Sequence, residues 1–158
     1  MKVVIKDNGE SNLVALINGL KKQGFDDFIV FSKINKRKRF QLENTFYNLG
    51  IKLALINFEL TRGTYDLLSS VKGSLSSAFL LVYSSEVLNL DLKGALYYHK
   101  ASQKIATLLL SDKKTNAIFL ENEVFDYMAR AAHFEKCILA RIFEDDEAGI
   151  YSALSAQA

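Results

Sequence analysis

Histidine, cysteine and serine are the residue types that most often do chemistry in proteins, and here they lack the spacing that such chemistry needs. The chain contains two histidines, His99 and His133, and one cysteine, Cys137. This set does not show the ligand spacing of a zinc site. The serines occur outside any Gly-x-Ser-x-Gly context, so no Ser-His-Asp arrangement is indicated. We expect Cys137 to be a buried small hydrophobe, since free cysteine usually is.

Two runs of like charge are candidate binding segments. Asn35–Arg39 is a basic cluster that could meet nucleic acid or phosphates, or could be the solvated first turn of a helix. Glu144–Glu147 is an acidic run that could bind a cation or form a solvated helix end. No aromatic side chains alternate with the basic residues to form a stacking surface for bases, so we favour a solvated helical turn for the basic cluster. For the acidic run we favour a solvated helix end.

The composition limits the classes of partner. The chain has 158 residues, 49% of them hydrophobic, which is enough to bury the core of one domain over residues 1–158. Its net charge of +2 predicts no strong electrostatic attraction to nucleic acid or to an anionic membrane. No apolar run is long enough for a membrane span. One cysteine allows no internal disulfide. We therefore expect a cytoplasmic protein with no nucleic acid and no membrane among its partners.

Apolar runs and helical patterns alternate along the chain. Leu13, Leu16, Ile17 and Leu20 mark one helix face, with Ser11 as a plausible N-cap and Gly24 as the stop. Strand-like runs are Lys2–Ile5, Phe28–Phe31, Ile51–Phe58, Phe79–Tyr83, Ile105–Leu110 and Asn116–Phe119. Further helices are predicted over Asn35–Asn48, Gly63–Leu75, Leu92–His99, Glu121–Ala131 and Phe134–Glu144. This alternation predicts an α/β fold, a mainly parallel sheet covered by helices on both faces, with ligands at the carboxyl ends of the strands.

Four segments of the chain resemble the sugar-1-phosphate nucleotidyltransferases (nucleotide-sugar pyrophosphorylases), in the order in which that family has them. Leu20–Val30 is similar to the run L-K-K-x-G-I-D-D-I-I-I, and Gly50–Thr64 looks like a strand followed by the L-G-T-A-G turn. Phe79–Lys100 resembles F-L-V-x-N-G-D…D-L…F-H-R, and Asn116–Lys136 resembles N-A-G-I-Y…P-E-V-F-D-Y…F-E-K. The resemblance implies a three-layer α/β/α, Rossmann-like fold of the nucleotide-diphospho-sugar transferase type, in a truncated form.

The resemblance also implies where a nucleotide site would lie. Gly63 and Thr64 match the family's nucleotide-contacting Gly-Thr, and Ser84 and Ser85 stand where the family has Gly-Asp. That Asp holds Mg²⁺ in the family, and an uncharged serine cannot replace a carboxylate on a hard cation. Glu86 or Asp91 could substitute as metal ligands, although each lies off the motif position.

The family's Gly-rich phosphate loop is reduced to Asp7–Ser11, in which Gly9 is the remaining candidate for contacting a nucleotide. A second alignment places Lys2–Ser11 on a later family segment, with Lys2 at a phosphate-contacting lysine. In either alignment Asp7 and Glu10 add negative charge, which opposes a triphosphate. Two further family features are absent, a Glu-Lys that holds the sugar and, after Tyr151, a second metal-binding Asp.

Two functions follow from these expectations. The first is a degenerate, catalytically weak or inactive nucleotidyltransferase-like domain that binds a ligand or partner, with no cofactor expected. The second is an active enzyme that makes an NDP-sugar from an NTP and a sugar phosphate with Mg²⁺. A nucleotide or sugar phosphate is the expected ligand in either case. Apolar residues in the closing helices and the segment Ile150–Leu154 favour a homodimer or a protein partner.

Overall fold

A seven-stranded sheet forms the centre of the computed structural model, which describes residues 1–7, 12–58, 63–75 and 77–152. The strand order is β3-β2-β1-β4-β6-β5-β7. The strands are β1 Lys2–Lys6, β2 Asp27–Ser32, β3 Lys52–Asn57, β4 Phe79–Val82, β5 Ala106–Ser111, β6 Lys114–Leu120 and β7 Ala148–Ser152. Neighbouring strands pair in parallel except where β6 runs against β4 and β5. The carboxyl ends of β1 to β4 therefore meet at one edge of the sheet, here called the carboxyl edge.

Helices cover both faces of the sheet. The helices are α1 Leu13–Lys22, α2 Lys36–Tyr47, α3 Thr64–Val71, α4 Leu92–Ser102, α5 Val124–Met128 and α6 Ala140–Glu144. One core cluster contains buried residues of α1, α2 and α4, and the other contains those of α3, α5 and α6. The three-layer α/β/α arrangement and the mainly parallel sheet confirm the expected fold class. No helix within the described ranges is long and apolar enough to cross a membrane.

The apolar runs became strands because their side chains are buried on both faces. All four residues of β4 are buried, as are Val3, Val4 and Ile5 in β1. Central parallel strands that lie between two helical layers have this continuous apolar pattern. The glycines that were expected to end helices do so, since Gly24 and Gly50 have φ values of 100° and 74°, which a side chain would disfavour.

Several predicted boundaries were wrong. Asn12 is the N-cap of α1 and accepts a hydrogen bond from the Ala15 amide, whereas Ser11 lies outside the described residues. The helix after Gly63 ends at Val71 and continues as a 3-10 turn, Lys72–Ser74. Of the predicted helix Glu121–Ala131 only Val124–Met128 is helical, because the Glu121 amide still bonds to the Ile105 carbonyl at the sheet.

The segment before α6 also departs from expectation. Phe134–Leu139 is a π-helical segment that buries Phe134, Ile138 and Leu139. Cys137 lies on its outer face and is exposed, so the prediction of a buried cysteine was wrong. The segment Ala148–Ser152 forms the edge strand β7, which was not predicted. The expectations of a single domain and of a homodimer remain predictions.

Candidate functional site

Polar side chains gather at the carboxyl edge, where ligands bind in open parallel sheets. Asp7 follows β1, Ser32 ends β2, and Tyr83, Ser84 and Ser85 follow β4. The expected nucleotide-contacting residues Gly63 and Thr64 lie at the start of α3. Gly9 is outside the described residues.

Ser84 and Ser85 form the turn that follows β4. The Ser84 hydroxyl oxygen accepts a hydrogen bond from the Glu86 amide at 3.2 Å, and the Ser84 carbonyl accepts one from the Val87 amide, also at 3.2 Å. These bonds start the 3-10 turn Ser85–Asn89. The first serine therefore acts as a cap, as serine commonly does where a helical turn begins.

The two carboxylates proposed as substitute metal ligands have other surroundings. Glu86 is exposed on the 3-10 turn. Asp91 is the N-cap of α4, and its Oδ1 atom accepts a hydrogen bond from the Gly94 amide at 3.0 Å. Among the described residues no group of three or more His, Cys, Asp or Glu side chains is arranged to hold a metal ion. The donor set at the end of β4, two hydroxyls and a phenol, does not suit Mg²⁺, which is usually held by carboxylates and phosphates.

Thr64 is buried at the first position of α3 and is paired with a residue that the motifs did not single out. Its hydroxyl donates a hydrogen bond to the Oε1 atom of Glu135, in the π-helical segment. The Tyr83 hydroxyl donates to the same oxygen at 3.2 Å. Gly63 is the backbone N-cap of α3 and contributes no side-chain hydrogen bond. Glu135 thus joins the end of β4 to the start of α3.

Glu135 makes this part of the carboxyl edge negative. A cavity of about 390 Å³ opens beside it, lined also by Tyr83, Thr115, Ile118 and Leu139. Among the described residues of that lining, Glu135 is the one charged side chain. Burial raises the pKa of the Tyr83 hydroxyl well above its ordinary value, and the Glu135 charge raises it further. The cavity therefore presents an acceptor for hydroxyl groups and a charge that opposes phosphate.

A second carboxylate lies where the phosphate loop would begin. Asp7 is buried, and its Oδ2 atom accepts a hydrogen bond from the Ser32 hydroxyl at 2.7 Å. The Asp7 amide donates to the Phe31 carbonyl at 2.9 Å, which fixes the chain as it leaves β1. The carboxylate predicted at this position is therefore hydrogen-bonded to the last residue of β2.

Asn116 is a further polar residue at this edge that the sequence did not single out. The register between β5 and β6 shifts at Leu109/Leu110, and Asn116 has no partner residue in β5. Its carbonyl accepts hydrogen bonds from the Tyr83 and Ser84 amides, at 2.9 and 3.3 Å. Its side chain is buried, and the Nδ2 atom makes no hydrogen bond with the described residues. Bulges of this kind often lie beside functional sites, where they redirect a side chain.

Several solved structures are similar to this chain at low sequence identity. A putative glucose-1-phosphate thymidylyltransferase from Bacillus anthracis, in complex with a sucrose, superposes with a TM-score of 0.69 at 9% identity over 96% of this chain and 85% of that chain. A mannosyltransferase from Pyrobaculum calidifontis, in complex with GDP-Man and Mn²⁺, gives 0.66 at 9% identity over 97% of this chain and 55% of that one. Molybdopterin-guanine dinucleotide biosynthesis protein A from Archaeoglobus fulgidus gives 0.57 at 10% identity over 98% and 84%.

The chain has a nucleotide-sugar transferase-like fold. No protein-family model matches the chain, and no curated protein matches its sequence. The expected fold type is therefore confirmed, and the narrower resemblance to sugar-1-phosphate nucleotidyltransferases remains a hypothesis. Within this nucleotide-sugar transferase-like fold, Thr64 and Ser84 lie at the edge that the resemblance implied. Tyr83, Asn116 and Glu135 are additions from the structure.

The sequence held a weak signal for these additions. Tyr83, Asn116 and Glu135 all lie in runs that contributed to the resemblance, but nothing in those runs indicated contact with Thr64. Asp91 and Glu86 are the candidate substitute metal ligands. No hydrogen bond or ion pair that the structure shows joins either of them to Glu135 or Thr64. The predicted nucleotide and metal ligands therefore do not form one cluster among the described residues.

Proposed function

We propose that this nucleotide-sugar transferase-like domain, a single domain over residues 1–158, binds a ligand at its carboxyl edge and transfers nucleotidyl groups weakly or not at all. The observation that carries the proposal is the Glu135 carboxylate, which is bonded to Thr64 and Tyr83 beside the serine turn after β4. Beside Glu135 the edge presents negative charge and hydroxyls, the reverse of what a polyphosphate needs.

The expected loss of rate is large. Phosphoryl transfer depends on positioning and on the stabilisation of negative charge, and metal ions supply much of both. Replacing the metal carboxylate with a serine should raise the barrier by several kcal/mol, a loss on the order of a thousandfold or more. A domain with such a loss of catalytic rate would function by binding a ligand or a partner.

The cavity beside Glu135 favours one class of ligand. The Glu135 Oε1 atom already accepts hydrogen bonds from the Thr64 and Tyr83 hydroxyls, so the second carboxylate oxygen, Oε2, is the acceptor for a ligand hydroxyl. Apolar Ile118 and Leu139 also line the cavity. An uncharged, hydroxyl-rich ligand of sugar type suits these surroundings better than a nucleoside triphosphate does.

Two measurements on the whole chain test the proposal. The first is pyrophosphate release with each nucleoside triphosphate, a panel of sugar 1-phosphates and Mg²⁺. The second is calorimetric titration with the same sugars in their uncharged form and with Mg²⁺-nucleotide. The proposal expects no turnover and tighter binding of uncharged sugars. Turnover above background would establish the second candidate, an active nucleotidyltransferase, which the overlap with most of the thymidylyltransferase chain supports.

A further inference from the structure

The helix α2 and the edge strand β3 form a surface with exposed apolar side chains, here called the α2 face. Only Phe46 of α2 is fully buried, although the helix has 12 residues. Two aromatic side chains are largely exposed, Phe40 at 70% and Tyr47 at 77%, and Leu49 just beyond the helix is exposed at 57%. Exposed apolar area of this extent is typical of a binding surface.

A groove runs along the α2 face between the helix and the strand. It has a volume of about 250 Å³, and its apolar lining is Phe40, Tyr47, Ile51 and Leu53. A space of this size accommodates one large apolar side chain from outside. The groove is therefore suited to anchoring a partner by a single residue.

The first turn of α2 carries a concentrated positive charge. Lys36, Arg37, Lys38 and Arg39 are consecutive, and no ion pair involving their side chains occurs within the described part of the chain. Asn35 caps the helix through its side chain, so the positive end of the helix dipole lies at the same place. A partner that lies on the groove would meet this charge at one end.

One amide at the edge of the sheet next to the groove is already occupied by a side chain. The Leu55 amide points away from β2 and donates to the Glu43 Oε1 atom at 3.2 Å. Side chains that occupy edge amides in this way prevent pairing with another strand. A partner would therefore contact the side chains of α2 rather than extend the sheet.

We propose that the α2 face binds an acidic segment of a partner protein, with the acidic residues at Lys36–Arg39 and an apolar side chain in the groove. The separation of charge from apolar surface favours a peptide over a nucleic acid. A single strand needs bases stacked along a cationic track, whereas here the groove holds one acidic and one basic side chain, Glu43 and Lys52, and its cationic cluster lies at one end.

The chain's own acidic run is a poor occupant of the α2 face in a second copy. Arg141 is paired with Asp145 at 3.4 Å and with Glu144 at 3.9 Å, and Lys104 is paired with Asp146 at 3.1 Å. These carboxylates therefore already have cationic partners within their own chain. Within the described part of the chain the basic turn of α2 makes no ion pair, so its complement is sought in another protein.

The test uses the full chain and a fluorescein-labelled peptide with a block of glutamates followed by one phenylalanine. Binding is measured by fluorescence anisotropy at low and at high salt. Replacement of the phenylalanine by glycine should weaken binding about tenfold, and so should Arg37→Gln with Lys38→Gln in the protein. Phe40→Ser should have an effect similar to that of the glycine peptide, because both changes remove one side of the same contact.

Matched controls separate the α2 face from general charge and apolarity. Lys21→Gln with Lys22→Gln removes two exposed lysines from α1, and Tyr97→Ser removes an aromatic side chain of α4 exposed at 77%. Both controls should bind the peptide as the unmodified protein does. No measurable binding, equal loss in the controls, or tighter binding of a single-stranded oligonucleotide or of phosphatidylserine vesicles than of the peptide would overturn the proposal.

Discussion

Glu135 and Thr64 lie 71 positions apart in the sequence and are joined by a hydrogen bond between the threonine hydroxyl and the glutamate Oε1 atom. The same oxygen accepts a hydrogen bond from Tyr83. This one carboxylate therefore connects the π-helical segment, the start of α3 and the end of β4. It also gives the carboxyl edge the charge on which the proposed function rests.

Removal of this carboxylate should destabilise the fold. Glu135→Ala leaves the buried Thr64 hydroxyl without its acceptor, which should lower the free energy of unfolding by about 1–2 kcal/mol. Glu135→Gln keeps an acceptor oxygen and should retain most of the stability. Urea denaturation measures both. Glu144→Ala, at an exposed residue of α6, is the control and should be nearly neutral. A loss as small for Glu135→Ala as for that control would contradict the structural role.

Stability should fall in alkaline solution, partly because of Tyr83. Burial, and then the Glu135 charge, raise the pKa of Tyr83 above its ordinary value of 10.0. The unfolded chain therefore loses this proton at a lower pH than the folded chain, so the stability from Tyr83 is complete below pH 10.0 and is lost as the pH rises above it. Tyr83→Phe should flatten part of this decline in urea titrations at several pH values, whereas Tyr97→Phe should leave it unchanged. An unaltered slope in Tyr83→Phe would be evidence against the assignment.

His99 should make the fold sensitive to acid. Its Nδ1 atom is 2.7 Å from the Thr107 hydroxyl, and its Nε2 atom is 3.4 Å from the Glu121 Oε1 atom without a hydrogen bond. Burial, and then the charge of Lys100, lower the pKa of His99 below 6.5. The stability it contributes is present above that pH and is lost as the pH falls, because the unfolded chain takes up the proton first.

The pKa of Glu121, the carboxyl that faces His99, is raised from its ordinary value by burial and by the charge of Glu123, so its protonation as the pH falls favours the folded chain and opposes the effect of His99. His99→Gln should therefore reduce the loss of unfolding free energy between neutral and mildly acidic pH. His133→Gln is the comparison variant, at an exposed histidine whose Nδ1 atom accepts a hydrogen bond from the Lys136 amide at 3.1 Å. The assignment would be abandoned if the control variant and His99→Gln showed the same acid dependence.

Gly94 should not tolerate a side chain, although it lies inside a helix. A Cβ atom there would be 2.5 Å from the Asp91 Oδ2 atom and 2.9 Å from the Tyr151 hydroxyl oxygen. Alanine normally stabilises a helix relative to glycine by about 1 kcal/mol, but the overlap should outweigh this and give a net loss of about 1–3 kcal/mol. Gly73→Ala, where a Cβ would meet nothing within 4 Å, is the control in thermal or urea unfolding. A stabilised Gly94→Ala variant would show that the Asp91 cap moves freely.

The central strands and helix α1 could be predicted because the apolar pattern of each lies within its own segment. Phe79–Val82 is apolar throughout and flanked by polar turns, and α1 repeats its apolar residues at helical spacing. β7 was missed because Ala148–Ser152 contains two small residues and an exposed Ile150, and its strand conformation comes from pairing with β5. Pairing of that kind is set by the fold, not by the segment itself.

The candidate site was less predictable than the fold. Thr64, Ser84 and Ser85 could be placed at the carboxyl edge, since any residue that follows a parallel strand lies there. The contact of Glu135 with Thr64 depends on how the π-helical segment packs against α3, and no spacing in the sequence encodes it. Asn116 became part of the edge through a bulge, which the apolar pattern of β6 does not reveal.

A crystal of the whole chain soaked with Mn²⁺ and a nucleoside triphosphate tests the central claim most directly, because anomalous scattering locates the metal. The account predicts no manganese peak at the turn after β4, where Ser84 and Ser85 stand in the place of the family's Gly-Asp. A manganese ion bound there by Ser85 or Glu86 together with the nucleotide phosphates would contradict the account.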